Sequence, residues 1–191
     1  MKKLRCLLVA AFCILISGCA CGKSNEIEYV HYLRGGGSEE IEADIVWTYS
    51  NKTYTKYQVA YTSYVCSDPT VNYVNVLYIE ITNAGTKEEA LIRNISFSTL
   101  EEGPTTFNVG LWGDYQSAVG KDFYVGIENE LLPKLKYAKY DFIKSVADKG
   151  YKNYKSIEGI DSDAIAGGTV SASNIISIVK SVFEYHLDTQ Y

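Results

Sequence analysis

Between Asp161 and Asn174 the chain reads Asp-Ser-Asp-Ala-Ile-Ala-Gly-Gly-Thr-Val-Ser-Ala-Ser-Asn, a run dominated by small side chains. It leads directly into Ile175, Ile176, Val179, Val182 and Phe183, whose three-to-four spacing marks one stripe of a helix. Ser173 has the side chain expected of that helix's N-cap. A helix start built from small residues leaves backbone N–H groups open, and the helix dipole favours an anion there. Gly167 and Gly168 remove Cβ atoms where a ligand would approach, while Thr169, Ser171 and Ser173 supply hydroxyls. On these residues alone the segment is either a phosphate-binding turn or a Gly-rich loop before a capped helix. Asp161 and Asp163, on either side of Ser162, read equally well as a solvated turn.

Other chemistry is sparse. The two histidines are His31, in a polar N-terminal stretch, and His186, in the last turn of the final helix, where a cation complements the dipole. Neither neighbours a Ser or Cys motif that it could activate. There is no G-x-G-x-x-G, no P-loop and no cluster with metal-ligand spacing, so no catalytic residue and no metal site is assigned.

The elements that must carry the segment are strands first and helices later. Ile41 to Tyr49, Tyr54 to Val65, Tyr73 to Ile81 and Glu89 to Phe97 are rich in Val, Ile, Thr and Tyr, and short turn-forming stretches separate them. Glu101 to Gly113 is expected to be a loop; Trp112 and Tyr115 within and beside it are either cover for a planar ligand or simple loop anchors. Asp122 to Leu132 and Ala138 to Asp148 have helical spacing, with Pro133 expected to interrupt between them and Gly150 placed as a C-terminal cap. This order predicts an α+β domain with antiparallel strands N-terminal, helices C-terminal and the Gly-rich turn before the last helix. The 191 residues, 47% hydrophobic and 21% charged, suit one core and exclude a disordered chain. A formal charge of −5 argues against a nucleic-acid partner.

The N-terminus carries an address. Lys2, Lys3 and Arg5 precede an apolar run from Cys6 to Ile16, which as a helix spans about 16 Å, short of a hydrocarbon core of roughly 30 Å. Leu15-Ile16-Ser17-Gly18-Cys19 resembles a bacterial lipobox, which implies cleavage after residue 18 and lipidation of Cys19. Loss of residues 1–18, with three basic and no acidic side chains, takes the formal charge from −5 to −8. Such a body relies on acyl chains rather than basic residues to stay at anionic lipid. Residues 19–40, with Gly35-Gly36-Gly37, read as a lipidated start and flexible spacer, and 41–191 as the domain. Cys21 and Cys66 are then the remaining thiols; they could pair in an exported protein, but with Cys21 in the spacer two unpaired thiols are the favoured reading.

Asp163-Ala-Ile-Ala-Gly167-Gly168-Thr169-Val-Ser171-Ala-Ser173 resembles the flavinylation motif of the FMN-binding domain family. That domain occurs in peripheral subunits of sodium-translocating NADH:quinone reductase and Rnf complexes and in bacterial surface lipoproteins. The resemblance implies FMN joined to Thr169 through a phosphoester by a flavin transferase. Asp163 would be the acidic residue of the motif, Gly167 the position of close backbone approach, and Gly168, Ser171 and Ser173 further cofactor-binding positions. Gly168 stands where the family has alanine, Ala166 where serine is usual, and Ser171 where threonine is usual. It further implies a lipid-anchored electron carrier outside the cytoplasm, on the cell membrane or outer membrane, served by a redox partner protein or quinol-linked reductase. The competing expectation is a non-redox surface lipoprotein that binds a ligand or protein through its aromatic surface.

Overall fold

The structure, a computed structural model, describes residues 25–64, 72–97 and 125–191. Five strands lie side by side in chain order: β1 (Glu26–Tyr32), β2 (Ser38–Ser50), β3 (Tyr54–Tyr64), β4 (Asn72–Thr82) and β5 (Ile92–Phe97). Every neighbouring pair is antiparallel, as expected when short connections turn the chain straight back. Two of these turns show their chemistry. The Asn51 side-chain oxygen accepts the Thr53 and Tyr54 N–H groups at 2.8 and 3.1 Å, closing β2 onto β3. Between β1 and β2, Gly35 and Gly36 have φ of 94° and 92°, a left-handed backbone that a side chain would resist.

The helices follow. A π-helical turn, Ile127–Leu131, runs into α1 (Leu132–Leu135); α2 (Tyr140–Ala147) and α3 (Thr169–Gln190) come after. α3 lies along β1 and reaches β4, and α2 packs on α3. The Ile175, Ile176, Val179, Val182 and Phe183 stripe is fully buried against the sheet face formed by residues such as Val59, Leu77, Ile79 and Ile81. The architecture is the expected α+β arrangement, strands first and helices after.

Several boundaries differ from expectation, each for a physical reason. The stretch 19–40 is not all spacer. Ile27, Tyr29 and His31 alternate inward along β1, and the Ile45 N–H donates to the Asn25 carbonyl at 2.7 Å, so the folded unit starts by Asn25 rather than Ile41. Glu89 is not in a strand, because Lys87–Glu89 form a 3₁₀ turn and β5 begins at Ile92. Pro133 does not interrupt its helix. The wider π turn delivers the Leu132 N–H to the Ile127 carbonyl, and Pro133 then occupies a first-turn position of α1 where no donor is required. The break comes at Tyr137, with φ of 67°. Gly150 follows α2 in the left-handed region expected of a cap, with φ of 77°.

The signal segment, Cys19, Cys21, Cys66, the Glu101–Gly113 loop, Trp112 and Tyr115 all lie outside the described residues. Among those described, no helix is long and apolar enough to cross a membrane.

Candidate functional site

The turn ahead of α3 is organised from Asp161. Its side-chain oxygen accepts the N–H groups of Asp163 at 3.0 Å and Ala164 at 3.3 Å, which curls the backbone and leaves Asp163 exposed. Ile165 then plugs into the core. The other side of the turn is set by a close approach: a Cβ on Gly126 would come within 2.1 Å of the Ala164 carbonyl oxygen, so only glycine lets the two backbones meet.

Ala166–Gly168 form a single 3₁₀ turn, with the Gly168 N–H donating to the Ile165 carbonyl at 2.8 Å, and the chain passes into α3 at Thr169. Gly168 occupies the cap position with φ of −96°, and neither Gly167 nor Gly168 is left-handed. Neither position therefore needs glycine for its backbone conformation. Gly167 is exposed and Gly168 is buried.

The helix starts five residues earlier than its sequence suggests, with its cap at Gly168, and this changes the role of Ser173. It is not the N-cap. It sits fully buried in the second turn, donates its hydroxyl to the Thr169 carbonyl at 2.8 Å and accepts the Lys152 N–H at 3.1 Å. An i to i−4 bond of this kind is available to a serine inside a helix and not to one at its cap. Ser171 is also buried. Of the expected positions, Gly167 and Asp163 stand at the surface, Thr169 is half-buried, and Gly168, Ser171 and Ser173 belong to the support beneath.

A second segment completes the site, and sequence reading missed it. Lys152, in the left-handed region with φ of 66°, leads into the 3₁₀ turn Asn153–Ser156. Ser173 holds this segment on α3, because the Asn153 side chain also donates to the Ser173 carbonyl at 3.4 Å. The docking places the fully buried Tyr154 so that its phenol oxygen lies 3.0 Å from the Thr169 hydroxyl oxygen, with either able to donate. Thr169 is thus held at its carbonyl from Ser173 and at its hydroxyl from Tyr154. No periodicity or motif around Tyr154 signals this contact; it arises from a loop folding back over some 15 residues.

The histidines are elsewhere. His31 is buried in β1, not in a spacer, with its Nδ1 3.3 Å from the Tyr29 hydroxyl and 3.3 Å from the Asn174 amide nitrogen. Burial lowers its pKa, against a smaller upward pull from Glu39. His186 is not a cation at the helix end. It is fully buried, its Nε2 donates to the Thr82 carbonyl at 3.3 Å and its Nδ1 accepts from the Tyr57 hydroxyl at 3.0 Å. Desolvation drops its pKa to about 4, so the ring is neutral. Among the described residues no three His, Cys, Asp or Glu side chains gather in a way that could hold a metal ion. Set against protein-family models, curated proteins and solved structures, the chain matches none of them.

Proposed function

We propose that this protein is a lipid-anchored flavoprotein outside the cytoplasm that carries FMN on Thr169 through a phosphoester and passes electrons between a membrane donor and a second acceptor. The observation that carries the reading is the placement of the Thr169 hydroxyl. Thr169, partly buried, is the first residue of a 22-residue helix and follows the exposed Gly167 by two positions, and its hydroxyl oxygen lies 3.0 Å from the Tyr154 phenol oxygen. A phosphate there meets the positive end of the helix dipole, little side-chain bulk and one phenol donor. The residues present fit the group: Thr169 would hold it, Gly167 would let the phosphate close on the backbone, and Tyr154 would steady the linkage. The redox chemistry belongs to the flavin when bound, and the chain supplies attachment and orientation. Asp163, exposed on the turn, is available to a flavin transferase, and Cys19 is the proposed anchor.

Covalent attachment suits such a location. Even nanomolar affinity, about −12 kcal/mol, loses a cofactor steadily into dilute medium, whereas an ester does not. The reading is tested by purifying protein made together with a flavin transferase. A yellow sample whose pigment stays with the protein after acid precipitation is expected. Pigment released by acid would mean non-covalent binding, and a colourless sample would remove the flavin reading.

A second reading rests on the sheet face turned away from α3. Trp47 and Tyr49 project there with ring planes within 10° of each other and centroids 6.2 Å apart, 44% and 46% exposed. Tyr54 continues the strip and carries the Arg93 guanidinium 4.3 Å above its ring. This face favours a non-redox ligand- or protein-binding lipoprotein, and a colourless sample would leave it as the account.

A further inference from the structure

The geometry points to Tyr154 as the positioning residue for flavin attachment, the group that sets the Thr169 oxygen for esterification and then holds the ester; this rests on the flavin reading above. The phenol lies 3.0 Å from Thr169 Oγ1, and the ring beneath it is completely buried. It has little freedom to move away. Lys152 and Asn153, immediately before it, are bonded to the Ser173 hydroxyl and carbonyl, and Ser173 in turn holds the Thr169 carbonyl. Acceptor residue and phenol are therefore tied to the same point on α3, and the threonine rotamer is chosen before any reagent arrives. Preorganisation of this kind removes an ordering cost from the reaction.

The step itself balances without a further oxidant or reductant. Thr169 Oγ1 gives up its proton to solvent or the transferase and bonds to the flavin-side phosphorus of a flavin–adenine dinucleotide. The phosphoanhydride bond breaks, and AMP leaves with the electron pair. Before the step the phenol can accept the threonine proton in a hydrogen bond. Afterwards that oxygen bears no hydrogen, and the phenol turns donor towards the linkage. A tyrosine hydroxyl can do both, and a phenylalanine neither.

The test follows incorporation of FMN into purified apoprotein by mass, using a flavin transferase and flavin–adenine dinucleotide, alongside thermal unfolding. Tyr154→Phe is expected to unfold cooperatively near the wild-type temperature yet to be modified at least about tenfold more slowly, the effect of losing one oriented hydrogen bond. The loss should appear in kcat, with KM for the apoprotein unchanged. Wild-type rates in folded Tyr154→Phe would overturn the role of Tyr154 while leaving the flavin reading intact; a wild type that gains no mass would remove both. Site-specific 3-fluorotyrosine at position 154 keeps the size of the ring and serves if the phenylalanine variant does not fold. It should move the phosphorus NMR signal of the ester, and an unmoved signal would overturn the contact.

Discussion

At the scale of residues, the buried groups that bind a proton differently in the folded and unfolded chain set the pH range in which the molecule is stable. His186 is the clearest. Its folded pKa of about 4 lies below the ordinary 6.5, so an unfolded chain takes up the proton first as pH falls. Its contribution is complete above about pH 6.5 and is lost progressively down to about pH 4, amounting to at most about 3 kcal/mol. His31 acts in the same direction. Urea unfolding between pH 7 and pH 4.5 should show this loss, and His186→Gln should flatten the curve; identical pH dependence in the two proteins would contradict the assignment. The Tyr57 phenol, pushed up to about 12 chiefly by burial, stays a donor to His186 throughout.

At the scale of elements, β1 shows how an edge strand is closed. Its outward N–H groups at Val30 and Tyr32 are taken by the Ser177 hydroxyl at 3.0 Å and the Asn174 side-chain oxygen at 2.6 Å, both from α3. The Asn174 amide also donates to the Tyr32 carbonyl at 3.3 Å. An open edge would pair with another chain. Asn174→Ala should therefore lower stability by about 1–3 kcal/mol and make the protein associate at high concentration, checked by urea unfolding and light scattering. The strands from Ile41 onward were legible because β-branched and aromatic residues cluster between turn residues. β1 was not, because Gly35, Gly36 and Gly37 and the charged residues around them carry the composition of a spacer while only Ile27, Tyr29 and His31 turn inward. The α3 stripe was legible from spacing, but its start was not. Thr169 to Asn174 holds no long apolar side chain, and tertiary contacts from Lys152, Asn153 and Tyr154 extend the helix back through it. For the same reason the chemistry of the turn could be read at Gly167 and Thr169, whereas the support at Tyr154 could not.

At the scale of the whole molecule, the two surfaces of interest lie at opposite ends. α3 starts near Tyr32 and ends near Thr82 and Ala84, where His186 and Tyr191 bond to those carbonyls. Its 22 residues make it about 33 Å long. Thr169 is at the first end; Trp47 and Tyr49 are at the other, on the far face of the sheet, near the turn that joins Ser50 to Tyr54. Replacing both rings by serine should leave flavin incorporation unchanged, and a parallel loss would show that the two surfaces work as one. At the first end the proposal is that a flavin phosphate is esterified to one oxygen, Thr169 Oγ1. Peptide mass mapping of protein made with a flavin transferase tests it. One added FMN is expected on the peptide containing Thr169, and none in Thr169→Ala. A wild-type peptide of unmodified mass, or FMN retained by the alanine variant, would contradict it.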